Sequence, residues 1–442
     1  MMIATKAMAC AAVLCAALMQ GAWAQSNPTY LPFGPAKGVL YKPDAGKPPH
    51  VALVIMHRTA NYLYHTGCRE LSARGFMVLC MNNRYENNEI AVRWEQVPLD
   101  VKSGVAFLRK QPGITKVILF GHSGGGPTMS FYQAVAENGT AYCKGANKLV
   151  ECEEDLAGLP RADGIVFADA HPGNPVVMMR GINPSVIGEN FAPAGVDASL
   201  DPFDTRNGYS AGGPSRFSKE FEARYYRGQS ERINTLIATA QSRMERIRKG
   251  QYPYPDNDLI VMPGAGNPGP GPGGSVYLNA LDPNLSLNST VGEQKLLRND
   301  GSVVRQIVKS VIAPDRIAIR TNRAFDTGTK LFSLRSFLSA NAIRSTNSLD
   351  GIDHCSSNNS TVCAVQSISV PVLFAAMGAF VFIRDNEIHY ELAKSADKDF
   401  VVIEGANHGF TPCTECERSP GQYANALRNF YDHVRDWINA RY

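Results

Sequence analysis

Short, mostly apolar runs set the rhythm of the chain. They fall at residues 51–56 (Val-Ala-Leu-Val-Ile-Met), 76–81, 116–120, 162–168, 370–376 and 400–403. Each is too short for a buried helix and is bounded by Gly, Pro or polar clusters. Such runs predict strands covered on both faces, as in a mostly parallel sheet. A weaker strand candidate lies near residues 38–42. Between the runs, apolar positions shift to helical spacing. Residues 66–74 predict a helix ended by Gly75. Residues 97–110 line up Val101, Val105 and Leu108 and stop at Pro112-Gly113. Residues 423–438 set Leu427, Phe430, Val434 and Trp437 on one face. Strands alternating with helices predict an α/β doubly wound architecture.

The alternation lapses between residues 173 and 365. Residues 218–249 predict a long charged helix there, and 303–312 and 330–338 are further amphipathic pieces. Residues 262–274 form a Gly/Pro-rich loop with a formal G-x-G-x-x-G at Gly264, Gly266 and Gly269. Prolines stand where a phosphate-binding helix would have to start, which excludes a dinucleotide site.

Composition narrows the class. The chain has 442 residues, 44% hydrophobic and 19% charged, with net charge +4 and no block of Lys and Arg. Nothing points to nucleic acid. Lys6, the apolar run 7–19 and Ala22-Trp23-Ala24 read as a secretory signal over residues 1–24. That run is shorter than the ~20 residues of a membrane span, and no later run is long enough. An exported protein, periplasmic or secreted, is expected. Cys10 and Cys15 lie in the signal, which leaves eight cysteines for an oxidising compartment. Cys143/Cys152, Cys355/Cys363 and Cys413/Cys416 are natural local bridges; Cys68 and Cys80 either pair or stay buried thiols. The C-x-x-C lacks a second ligand pair for zinc and a thioredoxin-like setting for redox chemistry. No metal or cofactor is expected.

Chemistry concentrates at residues 117–126. A strand runs into Gly121-His122-Ser123-Gly124-Gly125, and a helical stretch follows from 128 to 138. This is the strand–turn–helix setting of a nucleophile elbow, with Ser123 as nucleophile. A serine hydroxyl needs an adjacent base.

With this elbow, the element order resembles the α/β-hydrolase superfamily over residues 28–172 and 366–442. The resemblance implies a mostly parallel doubly wound sheet with a largely helical cap inserted after the sixth core strand. Core residues 25–172 and 366–442 would flank a cap at 173–365. It assigns the base to His408, in Gly405-Ala406-Asn407-His408-Gly409. The usual acid site falls on Val381, which cannot serve. Some members take the acid from the end of the strand at 162–168, here Asp169. Asp169 is favoured, then Asp385, then Glu387; chain order fits all three. Gly124 would give one oxyanion N–H. Thr59, in His57-Arg58-Thr59, would give the second, with Arg58 the alternative. The Arg58 side chain either meets a substrate carboxylate or, as favoured, runs out to solvent.

Tyr62, Tyr64 and His65 are candidates for the pocket lining, and His171 for the pocket or a loop cap. His122 is read as packing. The pairs Tyr225/Tyr226 and Tyr252/Tyr254 are cap core or a lid surface. The resemblance implies a serine hydrolase acting through an acyl-enzyme; a small-molecule ester is the expected substrate because it needs the least leaving-group help, and the large cap argues for a bulky or partly apolar one. The alternatives are an amidase or lactonase, a carbon–carbon bond hydrolase, and a non-catalytic binding protein. Oligomeric state is not indicated.

Overall fold

A computed structural model describes residues 28–43, 47–189, 195–251, 258–265, 277–312 and 329–442. The predicted signal, Tyr252/Tyr254, and Gly266 and Gly269 lie outside the described residues.

Ten strands form the main sheet, and only these are numbered here. They are β1 (Thr29–Phe33), β2 (Ala36–Tyr41), β3 (Val51–His57), β4 (Met77–Asn82), β5 (Lys116–His122), β6 (Gly164–Ala168), β7 (Gln294–Leu297), β8 (Val303–Gln306), β9 (Val372–Met377) and β10 (Lys398–Ile403). Their spatial order is β1-β2-β4-β3-β5-β6-β9-β10-β7-β8. Pairing is parallel from β4 through to β7 and antiparallel at both flanks.

The mostly apolar runs follow from burial on both faces. In β3, Ala52, Val54 and Met56 enter the core on one side of the sheet, and Val51, Leu53 and Ile55 enter the other. Successive strand residues point to opposite faces, so both must be apolar. Helix α1 (Val97–Leu108) covers the first side with Val97, Val101, Val105 and Leu108. Helix α2 (Ala426–Asn439) covers the second with Phe430, Val434 and Trp437.

After β6, the sixth strand, the chain enters an insertion with its own core. Its longest element is α3 (Lys219–Arg248). Ser218 caps α3 by accepting the Phe221 N–H; Glu220 and Glu222 lie in the first turn, Arg246 and Arg248 in the last. Ile233, Leu236 and Ile237 pack on Val176, Met179 and Phe332, and Tyr225 and Tyr226 are buried beside Phe221 and Leu281. Residues 294–306 of the same insertion leave the cap and extend the main sheet as β7 and β8.

All eight described cysteines pair: Cys68–Cys80, Cys143–Cys152, Cys355–Cys363 and Cys413–Cys416. Among the described residues, no helix is long and apolar enough to cross a membrane.

Candidate active site

The sheet fixes where chemistry can gather. From β3 the chain crosses to β4 on one side, then returns to β5 on the other. The crevice at such a reversal, beyond the carboxyl ends of the strands, is the natural ligand site of an open α/β sheet. Ser123 leaves the end of β5 there, before the helix Gly125–Asn138. Its φ is 55°, in the left-handed region. A side chain at Gly121 would meet Gly125 O at 2.6 Å, and one at Gly125 would meet Met56 O at 2.7 Å. The turn therefore closes only with glycine at both places.

Strand order and elbow together decide the architecture. The chain has the α/β-hydrolase fold. No family model and no curated protein matches it. Solved structures similar to it include a hypothetical protein of Pseudomonas aeruginosa, at 11% identity over 92% of this chain and 89% of that one, TM-score 0.41. A monoacylglycerol lipase of Paleococcus ferrophilus follows at 12% identity, covering 92% and 98%, TM-score 0.37. Est1E from Butyrivibrio proteoclasticus is 11% identical, covering 94% and 98%, TM-score 0.36. Identities this low assign no residue a role.

Within this α/β-hydrolase fold, three predicted residues meet. His408 Nε2 lies 2.9 Å from Ser123 Oγ. His408 Nδ1 lies 2.5 Å from Asp169 Oδ2. Asp169 is fully buried at the end of β6, with φ 44°. Its other oxygen accepts the Met377 N–H at 3.0 Å, which fixes the carboxylate plane. Phe380 stacks on the His408 ring, with centroids 4.2 Å apart.

Asp385 and Glu387 are engaged elsewhere. Asp385 accepts from Arg180 Nη1 at 2.6 Å, with both side chains buried. Glu387 accepts the N–H groups of Val291 and Gly292, the Gln294 amide and Arg384. It ties the cap to the helix Ile383–Leu392.

The loop after β3 departs from the sequence expectation. The Thr59 N–H, expected to face the oxyanion, donates to His57 Nδ1 at 3.1 Å, as does the Ala60 N–H at 2.9 Å. Burial, and then the Arg58 charge, push the His57 pKa down to about 3. A neutral ring that accepts at Nδ1 carries its proton on Nε2. That Nε2 faces the elbow: a Cβ on Gly124 would lie 2.5 Å from it. His171 repeats the pattern. Its Nδ1 accepts the Gly173 N–H at 3.1 Å, and its Nε2 would lie 3.1 Å from the same Cβ. Burial, followed by Arg58, holds its pKa well below the usual value. Two neutral imidazole donors therefore converge on Gly124.

Arg58 does not run to solvent. Only 4% of it is exposed, and Nη2 donates to Glu89 at 2.7 Å. Asn83 holds the turn from behind by donating to the Arg58 carbonyl at 2.5 Å.

His122, read as packing, also carries a directed chain. The Gly67 N–H donates to His65 Nδ1 at 3.1 Å, leaving the His65 proton on Nε2, 2.9 Å from His122 Nδ1. The His122 proton is then on Nε2, which donates to the His408 carbonyl at 2.8 Å. Tyr62 OH donates to the His122 carbonyl at 3.3 Å. Burial first, and His408 second, keep both rings neutral, His65 at about 3. An open cavity of about 270 Å³ lies beside this chain, lined by Tyr62, Tyr64, His65, His122 and Phe410. A larger one, about 450 Å³, lies under the cap at Glu95, Gln241, Met244 and Ser339, and Ser123 is not in its lining.

His57 and Phe380 were not given roles by sequence reasoning, and His171 was a candidate only for the pocket or a loop cap. Only His57 left a signal: it directly precedes the loop searched for oxyanion donors.

Proposed function

We propose that the protein is an exported serine hydrolase that cleaves a carboxylic ester through an acyl-enzyme. The observation that carries this is the unbroken line from Asp169 through His408 to Ser123, at 2.5 and 2.9 Å. Ser123 Oγ attacks the acyl carbon while His408 Nε2 takes its proton. Asp169 accepts a hydrogen bond from the Nδ1–H of His408, sets the tautomer and stabilises the imidazolium. The developing oxyanion takes the Gly124 N–H and, in place of a Thr59 N–H, the His57 Nε2–H. His408 returns the proton to the leaving alkoxide, and water then releases the acid by the same steps in reverse. An ester needs the least help to its leaving group. The local disulfides fit the export reading.

A fluorophosphonate probe should label the protein at Ser123, and Ser123→Ala should abolish labelling and lower kcat by about 10⁶-fold. Folded wild-type protein that takes no label would sink the proposal. His57→Phe tests the second donor, with kcat expected to fall by about 10²–10³-fold.

A further inference from the structure

The chemistry proposed above leaves one buried charge unused. Arg58 follows His57 directly, and its side chain is 5% exposed. Nη2 serves Glu89, but Nε and Nη1 are buried with no hydrogen-bond partner among the described residues. A buried donor without an acceptor is destabilising. An arriving acceptor removes that penalty.

The local charge is also unbalanced. Glu89 is shared: it accepts from Arg58, from Thr59 Oγ1 at 3.1 Å, and lies 3.4 Å from Lys330 Nζ of the cap. Among the described residues, two cations face one carboxylate, which leaves one positive charge over. The surrounding imidazoles are neutral and add none. Arg58 acts electrostatically on both His57 and His171, the two rings whose Nε2 atoms meet at Gly124. The surplus charge therefore lies beside the proposed oxyanion pocket, under the cap strand Lys330–Ser333. The proposed base is flanked by apolar rings, with Phe380 stacked on His408 and Phe382 edge-on to it.

We infer that the substrate is an ester that also bears a free carboxylate, which pairs with the open N–H groups of Arg58 while its apolar part rests on Phe380 and Phe382. One surplus positive charge matches one carboxylate, whereas a dianionic phosphate would overshoot it. Guanidinium–carboxylate pairing in a dry site is strong and directional. This rests on the serine hydrolase reading and narrows it to acidic esters.

The test compares kcat/KM for wild-type protein on two matched pairs. One pair is a p-nitrophenyl monoester of a dicarboxylic acid and its methyl-capped isostere, with the charge on the acyl side. The other is an acetyl ester of a hydroxy acid and its methyl ester, with the charge on the alcohol side. The free acid should be preferred tenfold or more in at least one pair, chiefly through KM, and the pair that responds gives the side. Arg58→Met should cut that preference at least fivefold. A purely structural Arg58 would slow both members equally and leave the ratio unchanged, which overturns the inference. Capped esters turned over as well as free acids by wild-type protein that labels at Ser123 would also overturn it. Protein that takes no label removes the hydrolase reading, and this inference with it. The wild-type ratio decides even if the Arg58 variant does not fold.

Discussion

Asp169 and Asp385 are buried aspartates beyond the carboxyl ends of β6 and β9, which are neighbours in the sheet. Asp169 has an imidazole on one oxygen and a backbone N–H on the other. Asp385 is clasped by Arg180, itself bonded to the Ser348 carbonyl. A carboxylate neutralised by a guanidinium has little left to offer an imidazole. One held by a single N–H keeps its charge directed at the ring. The partner, more than the strand position, assigns the role. Beyond β9, where the superfamily usually keeps its acid, this chain has Phe380 against His408.

The hardest test of this contrast is Asp169→Asn. If Asp169 is the proposed acid, kcat on a p-nitrophenyl ester should fall by about 10⁴-fold with the fold intact. Near-full turnover would exchange the two roles. Asp385→Asn should do the reverse. It leaves Arg180 buried without its partner, a loss of about 3–5 kcal/mol in urea unfolding, while turnover per folded molecule persists. Third, both regions hold neutral histidines: His57 and His65 on one side, His354 and His389 on the other, each pushed to about 3, by burial first. Unfolded histidine titrates near 6.5, so the unfolded chain binds more protons between about 6.5 and 3. Stability is then full above about 6.5 and falls as pH drops towards 3, by up to about 1.4 kcal/mol per pH unit for each ring. Tm should drop clearly between pH 7.5 and 4.5; a level Tm would contradict neutral rings. The smallest effect is expected from Phe380→Ala, which removes about 1 kcal/mol of ring stacking from His408. It should lower kcat several-fold.

The sheet was legible because strands buried on both faces need mostly apolar runs, and six of those runs became β3, β4, β5, β6, β9 and β10. Ser123 was legible because a tight turn between strand and helix leaves a signature; His408 and Asp169, which lie in line with it, were expected from the resemblance in element order, with Asp385 and Glu387 left open beside Asp169. β7 was missed because Gln294-Lys295-Leu296-Leu297 is short and only half apolar, as a strand near a sheet edge can be. The loop after β3 was misread for a different reason. Letters cannot show that two N–H groups turn inward onto His57, or that Arg58 stays under the cap. Those directions are set by Asn83 and Glu89, far along the chain. Whether Cys68 and Cys80 pair was likewise open until α/β packing brought their Cα atoms to 6.2 Å.

The imidazole chain from Gly67 to the His408 carbonyl has a consequence for how this molecule can diversify. Tyr62, His65 and His122 line the open cavity and also hold the backbone of the proposed base. A replacement that reshapes the cavity mouth at these residues also shifts the proposed general base. Adaptation to new substrates is thereby channelled away from this rim, towards the cap, where side chains can change without moving His408's support.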